Sequence, residues 1–219
     1  MTRDELIKKA IYIQYALSGE YKNYGIDGVN KLPYYGISDV YSKWEKNEHH
    51  FTTEYHRKYS IPLLCKLLNL HYNEDEFILF DKKYCDFDIS ILKPIKEFKY
   101  EVYGFTRNEY YDNLSFDDII TNNSSKNDIT DYHRLYKYGH ECSRLINKTI
   151  DTSRKLFISG DSQMIPNISF LSCFFKEVWY FDNRDKKQNK DKYIDHDFTD
   201  VIIEIGCGTY NDYMFKNFM

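Results

Sequence analysis

Three short and almost uninterrupted apolar runs in the last third of the chain limit its fold more than any other feature. They are KLFISG (155–160), EVWYFD (177–182) and DVIIEIGC (200–207). Each has the length of a strand, and none alternates cleanly between apolar and polar residues, so both faces of each strand must be covered. The first two are separated by SQMIPNISFLSCFF, a helical segment, and the last two by the charged connector NRDKKQNKDKYIDHDFTD. Buried strands joined through helices predict a parallel sheet between two helical layers. The expected class is therefore α/β, a three-layer α/β/α sandwich with a mostly parallel central sheet.

In such sheets a ligand binds beyond the carboxyl ends of the strands. Gly160, Asp161 and Ser162 follow the first run, Asp182 to Arg184 the second, and Gly206 to Gly208 the third. A serine between a buried strand and a helix presents its hydroxyl at the helix start. There its own N–H and the positive end of the helix dipole can stabilise a developing oxyanion. Gly160 permits a tight turn or a close neighbour. The competing reading is a simple cap, since Asp and Ser at such positions commonly bond the first N–H groups of a helix. A nucleophilic serine also needs a base, and the base needs an orienting group.

With 219 residues the chain is long enough for one well-cored domain. Its net charge of −4 does not point to nucleic acid or an anionic membrane as partner. The 22 Tyr and 15 Phe reflect compositional bias or a surface that stacks on sugars. Cys65, Cys85, Cys142, Cys173 and Cys207 are scattered through mostly apolar segments and read as reduced packing residues. The first residues, MTRDELIKKAIYIQYALSGEYK, carry acids and lysines where a signal peptide would be apolar. They predict one amphipathic helix ending near Gly19. No run reaches the roughly 18 apolar residues of a membrane span, so the expectation is a cytoplasmic protein.

Residues 20–50 read as loop-rich, with a helix in ISDVYSKWEKNE capped by Ser38 or Asp39. HHFTTEYHRKYSIPLLCKLLNLHY follows, and its leucines carry helical spacing with Pro62 in the first turn. EFILFD predicts a strand, whereas 86–150 is polar and reads as an insertion, with DDIITNNSSKND as an exposed loop. His49 and His50 lack a Cys or Asp pair at ligand spacing, so no metal site is predicted.

LFISGDS resembles the first block of the SGNH (GDSL-type) esterases and acyltransferases. Their usual form places Asp-x-x-His near the carboxyl end. This chain has no such motif, and His196 is its only histidine after Ser162. A permuted branch, the alginate O-acetyltransferase family and its DHHW relatives, places Asp-x-His before the serine and a helix after the histidine. HHFTTEYHRKYSIPLLCKLL resembles that element through Glu54-Tyr55-His56, with Glu54 where Asp is usual and Arg57 where Trp is usual. EVWYFDNR and DVIIEIGCG resemble the branch's following strands. A second candidate pair is Asp131 with His133, in a segment where Gly139 precedes a helix.

The resemblance implies Ser162 as nucleophile, His56 as base and Glu54 as its orienting acid, with Asp131 and His133 as the alternative pair. Gly160, Asp161, Arg184 and Gly206 fall at oxyanion or substrate-binding positions. The implied chemistry is transfer or hydrolysis of an acyl ester on a carbohydrate or glycan precursor through an acyl-serine. It needs no cofactor, and an acyl thioester is a candidate donor. The family's familiar members act outside the cytoplasm, against the localisation expected above. Two rivals remain: a non-catalytic SGNH-like domain that binds a glycan or a protein, and a phosphate site at the ISGDS turn. The second lacks the Gly-x-Gly-x-x-Gly or Walker pattern.

Overall fold

The computed structural model describes residues 1–16, 21–33, 51–84, 87–104, 110–116, 142–161, 163–182 and 196–205. The three apolar runs form β8 (Lys155–Gly160), β9 (Glu177–Asp182) and β10 (Asp200–Ile205). They lie side by side and parallel, with β8 between β10 and β9. Beyond β10 the sheet continues in parallel through β1 (Ile11–Gln14) and β2 (Asn30–Lys31). Beyond β9 it continues antiparallel through β7 (Cys142–Asn147), β5 (Lys99–Gly104) and β6 (Tyr110–Ser115). The order is β2-β1-β10-β8-β9-β7-β5-β6, while β3 (Phe77–Tyr84) and β4 (Phe87–Pro94) form a separate antiparallel hairpin.

Side chains leave a strand on alternate faces, and here the two sets enter two apolar clusters. Ile13, Leu156, Ile158, Val178, Tyr180 and Ile202 meet α2 (Ile61–Leu68) and α3 (Ile165–Leu171) on one face. Phe157, Trp179, Phe181, Val201 and Ile203 meet Leu6 of α1 (Arg3–Lys9) and Phe198 on the other. Both faces of the central strands are therefore covered, which is why their sequences are continuously apolar. Arg154 clamps the layers together at the amino ends of the strands. Its Nη2 donates to Asp200 Oδ1 at 2.6 Å and to the Leu68 carbonyl at 2.8 Å, and its Nε donates to Asp200 Oδ2 at 3.1 Å.

Two expectations need correction. The amino terminus is not one helix to Gly19. A capping box between Thr2 and Glu5 starts α1, and Ala10 is already extended, with φ −67° and ψ 137°. From there the apolar pattern has the period of a strand. Ile11, Ile13 and Tyr15 belong with one cluster and Tyr12 with the other. Nor is 86–150 an insertion. Its β5 and β7 extend the main sheet, and Tyr100, Val102 and Leu145 are buried in the core. The helix expected in 37–48, His49 and His50 lie outside the described residues.

Candidate functional site

Past the carboxyl end of β8 the chain turns sharply before entering α3. Asp161 shapes this turn. Its Oδ1 accepts from the Gln163 N–H at 2.7 Å, and its carbonyl accepts from the Met164 N–H at 3.1 Å and from the Tyr180 hydroxyl at 3.0 Å. The Asp161 N–H donates to Glu204 Oε2 of β10 at 2.6 Å, so a buried carboxylate grips the turn from the neighbouring strand. Gly160 makes room for that grip. A Cβ there would sit 2.8 Å from Met164 Cγ and 3.0 Å from Glu204 Oε2. Gly160 thus serves close packing, and Asp161 ties down the turn, although the N-cap position of α3 is Met164, which makes no side-chain cap.

An element from early in the chain folds onto this turn. The Phe51 N–H donates to the buried Oε1 of Gln163 at 3.1 Å. Thr52 then caps a helical turn, Thr53–Tyr55, by accepting from the Tyr55 N–H. A π-helical turn, His56–Ser60, follows and runs into α2. π-helical turns insert an extra residue and occur often at functional sites. His56 is only 2 % exposed, with the rings of Tyr15, Phe51 and Tyr55 edge-on to it. Its Nδ1 lies 3.1 Å from Ser60 Oγ and 3.2 Å from Asn167 Nδ2 of α3. Tyr15 closes the group. It donates to Ser60 Oγ at 3.3 Å and accepts from Asn167 Nδ2 at 3.0 Å. Burial holds the Tyr15 phenol well above its ordinary pKa, the nearby Glu204 charge adds to that, and the Ser60 contact works against it.

Glu54 does not share this pocket. Its two carboxylate oxygens accept from Arg57 Nε and Nη2, each at 2.9 Å, and Arg57 also pairs with Glu74. These hydrogen bonds from Arg57 hold the Glu54 carboxyl below its ordinary pKa. Residues two apart on a helix point to different sides. When His56 turns into the core, Glu54 therefore faces water, with 56 % of its side chain exposed. The expected Glu54–His56 pairing is replaced by an ion pair along the helix surface.

Ser162, Asp131, His133, Arg184 and Gly206 lie outside the described residues. Among the expected residues, then, the structure brings His56, Gly160 and Asp161 to one end of the sheet. The sequence reading overlooked Asn167, Ser60, Tyr15, Gln163 and Glu204. Two of these left a readable signal: Asn167 interrupts the apolar IPNISFL, and Glu204 sits inside the apolar DVIIEIGC. A polar residue inside a buried apolar run marks a site where its polarity is satisfied or used. Among the described residues no cluster of His, Cys, Asp and Glu is arranged to hold a metal ion, and no helix is long and apolar enough to cross a membrane.

No protein-family model and no curated protein sequence matches the chain. Solved structures do. A DHHW family protein from Eubacterium siraeum superposes with a TM-score of 0.63 at 12% identity, over 98% of this chain and 84% of that one. PatB1 from Bacillus cereus carrying a sulfonyl adduct superposes with a TM-score of 0.63 at 13% identity, over 98% and 88%. A second PatB1 structure gives 0.62 at 12% identity, over 97% and 86%. The fold is thus the α/β sandwich with a mostly parallel central sheet found in SGNH-like proteins.

Proposed function

We propose that this protein is a serine acyltransferase or esterase of the SGNH type, with Ser162 as nucleophile and His56 as its base. The observation that carries the reading is the placement of His56. A buried imidazole, from a segment distant in sequence, packs against Asn167 in the helix that follows Ser162. Its own segment is tied to Gln163, the next residue after Ser162. PatB1, one structure of which carries a sulfonyl adduct, shares the fold.

In this reading His56 Nε2 takes the Ser162 hydroxyl proton as the oxygen attacks an ester or thioester carbonyl. The proton passes to the leaving group when the tetrahedral intermediate collapses to an acyl-serine. The Ser162 N–H is one oxyanion donor, and Gly206 or Arg184 is placed by sequence to supply another. Losing one such donor typically costs about 2.7–4 kcal/mol of barrier. His56 then deprotonates the acceptor, a carbohydrate hydroxyl or water, which attacks the acyl-serine and frees the serine.

Turnover of p-nitrophenyl acetate by wild type, Ser162→Ala, His56→Ala and His133→Ala tests this assignment. Ser162→Ala and His56→Ala are expected to lose activity and His133→Ala to keep it. An aryl sulfonyl fluoride is expected to add its sulfonyl group to the peptide containing Ser162 by mass spectrometry. Equal turnover by wild type and Ser162→Ala refutes the assignment and favours a binding domain.

A further inference from the structure

We infer that Asn167 is a positioning residue for His56, presenting its amide oxygen to the Nδ1 proton. The kinetic part of this inference rests on the Ser162–His56 assignment; the structural part does not. Asn167 is completely buried, and its amide lies against both His56 Nδ1 and the Tyr15 hydroxyl. With Nδ2 on that side, Oδ1 is buried and has no hydrogen-bond partner among the described residues. Half a turn of the amide exchanges its two ends at little cost in shape. Oδ1 then meets two groups able to donate, the Nδ1–H of His56 and the O–H of Tyr15. Ser60 Oγ, at 3.1 Å, is a second acceptor for the same Nδ1 proton.

A proton held on Nδ1 leaves the Nε2 lone pair available as a base, so acceptors at Nδ1 set the useful tautomer. Glu54 is committed to Arg57 on the exposed face. A neutral amide fixes the tautomer but supplies no counter-charge to an imidazolium. Among the described residues, the titratable groups packed around the cluster are Tyr15, just after β1, Tyr55 of the preceding helical turn, and Glu204 of β10, which acts on Tyr15.

The test combines ring 15N NMR of His56 with the pH dependence of p-nitrophenyl acetate turnover. In wild type at neutral pH the ring is expected as the Nδ1–H tautomer, and Asn167→Ala is expected to lose that preference. Asn167→Ala is expected to lower kcat about a hundredfold or more, with KM within about twofold. Asn167→Asp keeps the shape, adds a charge beside Nδ1, and is expected to move the acid limb of kcat/KM upward by about one pH unit. Glu54→Gln is expected to leave that limb where it is.

An Nε2–H tautomer in wild type overturns the inference. So does an acid limb unmoved in Asn167→Asp, or a loss of kcat in Glu54→Gln beside full activity in Asn167→Ala. If Asn167→Ala fails to fold, the wild-type tautomer and the Asn167→Asp profile still decide. If Ser162→Ala turns over as fast as wild type, the nucleophile assignment falls while the tautomer measurement still tests Asn167.

Discussion

Gly160→Ala should destabilise the protein through crowding at one point. The new methyl would lie 2.8 Å from Met164 Cγ, 3.0 Å from Glu204 Oε2 and 3.1 Å from Glu204 Cβ. Neither neighbour has room to retreat. Met164 is fully buried, and Glu204 Oε2 is held at 2.6 Å by the Asp161 N–H. Overpacking a buried site costs about 1–3 kcal/mol. If Glu204 yields instead, a hydrogen bond to a charged group is lost, at about 1.5–3 kcal/mol. Against this, Ala lowers the entropy of the unfolded chain by about 0.4–1 kcal/mol. The net loss should be about 1.5 kcal/mol, which lowers Tm by roughly 3–6 °C in a chain of this size. Urea melts measure it, with the m-value unchanged because the surface exposed on unfolding stays the same. Met164→Ala should cost less in the Gly160→Ala background than in wild type, since the methyl then fills space the thioether vacates. A loss below about 0.5 kcal/mol, or strict additivity of the two changes, would refute the crowding argument.

Arg154→Ala removes a forked pair to Asp200 and a bond to the Leu68 carbonyl, and should cost about 2–3 kcal/mol in urea melts. Arg154→Lys should recover under half of that, because an ammonium cannot bridge both partners in the same plane. Gln163→Ala leaves the Phe51 N–H without its acceptor, so hydrogen exchange at that amide should accelerate while β8 and β10 amides stay protected. Burial pushes the Cys173 thiol from its ordinary 9.0 up to about 12. The unfolded chain therefore sheds this proton first as pH rises. The stability associated with the neutral thiol is complete below pH 9 and is lost toward pH 12, at up to about 1.4 kcal/mol per pH unit. Cys173→Ala should flatten the decline of urea stability between those pH values, and an identical slope in wild type and variant would refute the assignment.

The parallel core was legible because its signal is local. Strands covered on both faces must be apolar throughout, and KLFISG, EVWYFD and DVIIEIGC are the runs that meet this demand. The antiparallel half was not legible for the complementary reason. In β5, KYEVYG, the polar Lys99 and Glu101 alternate with the buried Tyr100 and Val102, a weak pattern inside a long polar stretch. What makes it a strand is pairing with β7 more than forty positions later, Tyr100 opposite Asn147 and Val102 opposite Leu145. The amino terminus failed differently. Ile7, Ala10 and Ile11 suit a helical stripe until β10 is present to pair with Ile11 and Ile13, and only then does the two-residue period win.

The histidine site shows the same division between local and distant information. The order of Glu54 and His56 matches the permuted motif, yet a match in order leaves the local backbone unspecified. Thr52 starts the helix before both residues, so at about 100° per residue they project roughly 200° apart. An acid two positions back cannot share the imidazole's side of such a helix. The groups that can do so are one turn onward, as Ser60 is, or on a facing element, as Asn167 and Tyr15 are. Ser60 was readable from helical spacing once a helix was assumed over the motif. Asn167 was readable only as a polar break in an apolar helix, with nothing local to name its partner. The deciding step was therefore the docking of the His56 segment against the helix after Ser162, held by Phe51 on Gln163 and by Tyr15 between Ser60 and Asn167. Among the described residues, that docking gives the imidazole neutral partners from separate parts of the chain, where the motif alone implied one neighbouring acid.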